Sequence, residues 1–309
     1  MLLSIILPVY NGALYIRQCV DRIQESMTFD DYELVIIDDG SSDETAAVAV
    51  SLSDNNEHIK YLRHDNHGVS YSRNRGIVNA EGKWIQFMDV DDIICPQLYR
   101  QIQPALHSKA QLIVFDYDFC SAGKASFNGG HFSEEVTSDV LKRHLFLGRY
   151  SGFVWDKIYN REYVMSNKIA FDTDLKYHED CLFNYKFLAG APSVLYIRKT
   201  LYTHNVNANS VMSRFGSSDM FDYGYLRVLD AFEEMLGSEP HGALEDDTAL
   251  ILYSYNNYIQ RILSRMQVCR NVPREEISKL ERLSRTVVQK MPLRFRALSM
   301  LKYIKMKLK

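Results

Sequence analysis

Apolar positions in the first 120 residues fall into two alternating rhythms. Leu3–Val9 is mostly apolar and β-branched, the mark of a buried strand, and Leu14, Cys19, Val20 and Ile23 then recur at near-helical spacing. The pair repeats. Residues 33–37 read as a second strand, and Ser42-Asp43 supply caps for a helix over 46–52. Ile59–Arg63 reads as a third strand, and a helix follows His67-Gly68 to about Asn79. Residues 83–88 form a fourth strand, Pro96 opens another helix, and residues 112–115 form a fifth strand. Strand, helix and strand in this order predict parallel βαβ units with right-handed crossovers. In such open sheets ligands bind beyond the carboxyl ends of the strands. Three polar clusters follow strands: Tyr10-Asn11, Asp38-Asp39-Gly40-Ser41 and Asp89-Val90-Asp91-Asp92. The topology therefore gathers them along one rim.

The alternation breaks near residue 117. Residues 121–138 are rich in Gly, Ser and Glu and read as an irregular excursion. Strands are expected at 153–159 and 193–202, on either side of a helix that starts at His178-Glu179-Asp180. From about Phe221 the pattern is helical, and a boundary is expected near residue 215. No internal repeat or low-complexity segment is present.

Composition narrows the class. With 309 residues, 46% hydrophobic and 24% charged, the chain has the balance of a soluble globular protein and can bury a core without staples. Thirty-six basic against thirty-nine acidic residues exclude an overall polyanion binder, so no nucleic-acid partner is expected. No apolar run reaches the roughly 18 residues of a membrane span. Cys19, Cys95, Cys120, Cys181 and Cys269 are scattered, with no CxxC pair, which argues against a disulfide scaffold and a structural zinc site. The first apolar run lacks a basic flank and stops at Pro8, so it reads as a strand rather than a signal peptide, and the compartment reads as cytoplasmic.

Phosphate-binding glycine motifs are absent: neither GxGxxG after the first strand nor GxxxxGK[ST] occurs. A phosphate would have to be held by a metal or by basic side chains. Asp89-Val90-Asp91-Asp92 offers hard oxygen ligands suited to Mg2+ or Mn2+, and a cation bridging them to a diphosphate would neutralise a leaving group. The plain alternative is a solvated acidic turn with Asp92 near a helix N-terminus.

Five segments occur in order: SIILPVYN over 4–11, YELVIIDDGSSDET over 32–45, Arg73-Asn74 leading to Ala80-Glu81-Gly82, DVDD over 89–92, and YHEDCLF over 177–183. Together they resemble a family 2 glycosyltransferase with the GT-A fold, over roughly residues 1–210. The resemblance implies an α/β class: a Rossmann-like mixed sheet flanked by helices, as a catalytic domain over 1–215 with a C-terminal helical region over 216–309. It also implies site roles. Pro8 and Tyr10 would pack the nucleotide base and ribose, with Asn11 beside them. Asp39 would accept from the uracil N–H, with Asp38 as its neighbour. Arg73 would face the diphosphate, and Asp89 the ribose or sugar. Asp91 would coordinate the metal, His204 would complete its site, and Asp92 would support it. Glu179-Asp180 resembles the family's base motif, with Asp180 as proton acceptor. Trp155-Asp156-Lys157 resembles a segment lining the acceptor side.

A sugar hydroxyl is a poor nucleophile, and a positioned carboxylate must take its proton as the new bond forms. One base opposite a metal-held leaving group implies single displacement with inversion. The QxxRW signature of processive synthases is absent, so a single addition is implied. The expected donor is a nucleotide-diphosphate sugar, in particular a UDP-sugar. The expected acceptor is a glycan or lipid-linked glycan in bacterial surface polysaccharide assembly. Two rivals stay open: a sugar nucleotidyltransferase, whose glycine-rich basic loop Tyr10-Asn11-Gly12 does not supply, and a catalytically silent partner subunit. For the individual residues, capping and turn roles at 38–41, first-turn helix acids at 179–180 and a structural His204 are the plain alternatives.

From Pro292 onward there is no acidic residue, while Arg294, Arg296, Lys302, Lys305, Lys307 and Lys309 are basic. Leu298, Leu301, Ile304 and Leu308 make an apolar arc on a helical wheel. This pattern suits a helix lying on an anionic membrane surface, peripheral on the inner face of the plasma membrane, or else one docked on its own domain.

Overall fold

β1 (Leu3–Val9) is buried along its whole length because it lies between two parallel neighbours with helices on both faces. Its odd positions Leu3, Ile5, Leu7 and Val9 pack with Ile16, Cys19, Val20 and Ile23 of helix α1 (Ile16–Ser26). Ile6 turns the other way, towards Ile77 of α3 (Val69–Asn79). Gly76 lets α3 lie this close, since a Cβ there would collide with Ile6. β2 (Tyr32–Asp38), β3 (Ile59–Arg63) and β4 (Trp84–Phe87) complete a parallel block in the order β3-β2-β1-β4. Val9 pairs with Asp38 and Asp38 with Arg63, so these strand ends share one rim.

The structure, a computed structural model, describes residues 1–121, 124–130, 135–147, 152–190, 192–206, 221–238 and 245–307. Beyond β4 the sheet turns mixed, as the resemblance led one to expect. β5 (Ile93–Ile94) follows the acidic turn, β6 (Leu112–Ser121) and β7 (Lys124–Gly130) form a hairpin, and β8 (Lys157–Asn160) lies antiparallel between β4 and β6. β9 (Val194–Val206) runs parallel to β6, and β5 pairs antiparallel with it. Helices α2 (Thr45–Asp54), α4 (Leu98–Leu106), α5 (Ser138–Leu147), α6 (Arg161–Ser166) and α7 (Glu179–Ala189) complete the layers.

Two expectations are corrected. The excursion at 121–138 contains strand β7, which lacks β-branched residues and owes its form to backbone pairing with β6. The strand expected at 153–159 begins only at Lys157, because Phe153 and Trp155 stack on one another (4.6 Å, 18°). At the start of α2 the expected cap is present in Asp43, which accepts from the Thr45 N–H and hydroxyl, while Glu44 gives no side-chain cap.

The chain divides into two compact units, residues 1–142 with 150–206 and residues 143–149 with 207–309. The second is helical: α8 (Val228–Ser238), α9 (Glu245–Met266), α10 (Arg274–Lys290) and α11 (Leu293–Lys307). α9 is its centre, burying Ile251, Ile259 and Ile262, and stacking Tyr255 on Phe232. Of α11, Phe295 and Ser299 are buried while Leu293, Leu298 and Met300 are exposed, so one face docks within this unit. Residue 215 and the tail residues Leu308 and Lys309 lie outside the described residues. Among the described residues no helix is long and apolar enough to cross a membrane.

Candidate active site

The loops after β1 and β2 are laced together. Asn11, at φ +50°, donates its N–H to Ser41 Oγ (2.9 Å), and its Oδ1 accepts from the Ser42 N–H (2.8 Å). Gly12 donates its N–H to Thr45 Oγ1 (2.9 Å). Asp38, fully buried, accepts from the Ser41 N–H (2.8 Å) and the Tyr61 hydroxyl (2.8 Å), with Arg63 Nε at 3.7 Å. Asp39 accepts from the N–H groups of His67 (2.8 Å) and Gly68 (2.9 Å), just where α3 begins. Gly68 sits at φ +90°, a conformation that a side chain would strain. Both acids therefore brace the rim, and Tyr10 stays half exposed above it.

The second cluster surrounds Arg73 on α3. Its Nη1 donates to Asp180 Oδ1 (2.6 Å) and Glu179 Oε1 (3.1 Å), and its Nη2 to Asp89 Oδ1 (3.2 Å). The guanidinium carbon lies 5.3 Å from the centre of the Phe171 ring. Burial raises the Asp180 carboxyl to about 8 against the pull of Arg73, and Glu179 and Asp89 add to the rise. Glu179 is raised by burial in the same way. For Arg73 burial works downward, yet the three carboxylates hold the guanidinium firmly charged. Asp180 keeps 17% of its side chain open. A partly open carboxyl whose proton affinity is raised by burial is a stronger base than an exposed one, and is suited to accepting a proton.

Beside it, Asp89, Asp92 and His204 each bring one ligand-type atom to within 4.8 Å of the others. Asp92 accepts from the Tyr202 hydroxyl (2.6 Å) and the Asn205 N–H (2.8 Å), and His204 Nδ1 is 3.0 Å from its Oδ1. Burial raises Asp92 to about 6 even against His204. Burial lowers His204, but the hydrogen bond and charge of Asp92, with Asp89 and Asp91, more than reverse it. β9 puts Tyr202 and His204 on one face, and the His204 ring lies flat on Trp155 (5.4 Å, 4°). Two carboxylates and an imidazole oriented by an acid make a hard oxygen–nitrogen set that fits Mn2+ or Mg2+.

The structure thus brings Asp89, Glu179 and Asp180 together and joins His204 to them through Asp92. Arg73, expected at a diphosphate, turns its donors on the acids. The acid grouped with Asp89 and His204 is Asp92; Asp91 stands on the same turn, its backbone oxygen accepting from Asn205 Nδ2 (3.3 Å). Trp155 is a buried member of an aromatic cluster, and Asp156 and Lys157 form a buried ion pair (2.6 Å). Sequence reasoning missed Tyr202 and Phe171. The alternation Tyr202-Thr203-His204 signals the first, since i and i+2 share a strand face; no local signal marks the second.

Residues 4–165 match the model of glycosyl transferase family 2. Among curated relatives, EpsH, a candidate glycosyltransferase of Bacillus subtilis (strain 168), is 29% identical over 229 residues, 72% of this chain and 65% of that protein. Among solved structures, S. aureus TarS 1–349 in complex with UDP-GlcNAc superposes with a TM-score of 0.68 at 20% identity, over 93% of this chain and 88% of that one. A mannosyltransferase from Pyrobaculum calidifontis in complex with GDP-Man and Mn2+ gives 0.57 at 13% identity, over 97% and 84%. At these identities the structural likeness is one of fold.

Proposed function

The chain belongs to glycosyl transferase family 2, and on that premise we propose that it is an inverting, cation-dependent transferase. It moves one sugar from a nucleotide-diphosphate donor, a UDP-sugar in the first instance, to a glycan or lipid-linked glycan acceptor of a surface polysaccharide. Pro8, Tyr10, Asn11, Asp38 and Asp39 form the rim that receives the nucleotide. Asp89, Asp92 and His204, with Asp91 on the same turn, hold Mn2+ or Mg2+. When bound, the cation supplies positive charge that the departing diphosphate needs. Asp180 accepts the proton of the acceptor hydroxyl as its oxygen bonds to the anomeric carbon. The bond to UDP breaks in the same step, and its electron pair leaves on the diphosphate. Glu179 shares Arg73 with Asp180 and keeps that base in a negative field. The catalytic unit is the α/β unit and the helical remainder is an accessory region. The basic helix α11 lies against the inner face of the plasma membrane, bringing the enzyme to lipid-linked acceptors.

One observation carries this reading: acids from two segments some ninety residues apart converge on one buried guanidinium beside a cation-ligand group. The test is UDP release from a panel of UDP-sugars with Mn2+, starting with the UDP-GlcNAc that TarS binds. Release by the wild type that chelation abolishes supports it; no release with any donor contradicts it.

A further inference from the structure

Arg73 has a more specific duty than charge balance. Its side chain is 4% exposed, and both Nη atoms are spent on carboxylates of the site itself. Its Nε is buried with no acceptor, so the placement of the guanidinium follows from the Nη contacts rather than from a fully satisfied fork. The next residue secures the other side. Asn74 Nδ2 donates to the Phe171 carbonyl (2.8 Å), and Asn74 Oδ1 accepts from the Phe171 N–H (2.8 Å). This two-point clamp fixes the backbone of Phe171 as a strand partner would. The Phe171 ring stacks on Phe183 (4.1 Å, 10°), meets Phe87 edge-on (5.2 Å), and carries the Arg73 guanidinium on a face. Consecutive residues of one helix thus hold the site in two ways: Asn74 sets the platform, and Arg73, resting on it, grips the acids.

We infer that Arg73, seated by the Asn74–Phe171 clamp, is the positioning residue of the proton acceptor, fixing Asp180 through Nη1 in one frame with Asp89 held through Nη2. The inference rests on the reading of Asp180 as that acceptor. Arg73 engages Asp180 through Oδ1 and so anchors that carboxyl group at one oxygen. Asp89 belongs to the cation group, so the same guanidinium ties the distance from base to leaving group. Displacing a reacting group by about 1 Å costs on the order of 100-fold in rate. A lysine keeps the charge but cannot span both sides, because it is a point donor on a flexible stem.

The experiment compares wild type, Arg73→Lys and Asn74→Ala in two measurements. One is the affinity and stoichiometry of UDP with Mn2+ by calorimetry. The other is kcat and KM for UDP release from the UDP-sugar that wild type hydrolyses with water as acceptor. Arg73→Lys is expected to bind UDP within about threefold of wild type at full stoichiometry, while kcat falls about 100-fold with little change in KM. Asn74→Ala, which keeps the arginine, is expected to lose about tenfold in kcat with the same unchanged binding. UDP affinity falling in step with rate would make Arg73 a diphosphate clamp and overturn the inference, as would an unchanged kcat in Arg73→Lys. A wild type that releases no UDP from any donor sinks the donor reading itself, a distinct result that removes the inference with it.

Discussion

Two acidic clusters stand on the same rim and differ in what balances them. At the loops after β1 and β2, Asp38 and Asp39 accept hydrogen bonds from neighbouring backbone N–H groups and from Tyr61, with Arg63 and His64 close by. At the centre, Asp89, Glu179 and Asp180 share one guanidinium, Asp92 faces one imidazole, and Lys157 adds positive charge that Asp180 feels. Burial accordingly raises Asp92 to about 6 and Asp180 to about 8. The loops are a finished scaffold, whereas the centre is short of positive charge and has a carboxyl ready to take a proton. The proposed function draws on that difference, taking the rim to hold a nucleotide and the centre to bind a cation and carry the chemistry.

The comparison breaks most visibly at Asp180. Asp180→Asn keeps the shape and removes the basicity; UDP release is expected to fall about 1,000-fold with UDP–Mn2+ affinity retained. Asp92→Ala is expected to weaken the cation dependence about 10- to 100-fold, read as the Mn2+ concentration giving half-maximal activity. Asp38→Ala probes the scaffold instead. It strands the Ser41 N–H and the Tyr61 hydroxyl and is expected to cost about 1–3 kcal/mol of stability, measured from the urea midpoint.

The remaining prediction sharpens the contrast through pH. Asp180 lies near 3.9 in an unfolded chain and at about 8 in the fold, so the folded state prefers it protonated. Its contribution is fully present below about 4 and is lost as pH rises towards 8. In chelator, the urea midpoint of wild type is therefore expected to slope downward between pH 5 and 8, and Asp180→Asn to flatten that slope.

Much of this contrast was legible in the sequence. The strand-end positions of Asp38-Asp39 and Asp89–Asp92 follow from the alternating rhythms, because a parallel βαβ unit puts successive strand ends on one rim. Asp180 was legible only through motif resemblance. What stayed hidden is long-range. Arg73 meets partners 106 and 107 residues away, and Phe171 is held by Asn74 across 97 residues. Those contacts depend on β8 and β9 joining the sheet out of sequence order, which no local periodicity encodes. The choice of Asp92 over Asp91 beside His204 is hidden for a similar reason: the register Ile93↔Thr203 decides which acid of the turn faces β9.

The central claim is that one base, Asp180, drives a single displacement at the anomeric carbon. Proton NMR of the first turnovers of an α-linked UDP-sugar, with water as acceptor and before mutarotation, tests it most directly. The account predicts a β-configured sugar at early times; an α-configured product would contradict it.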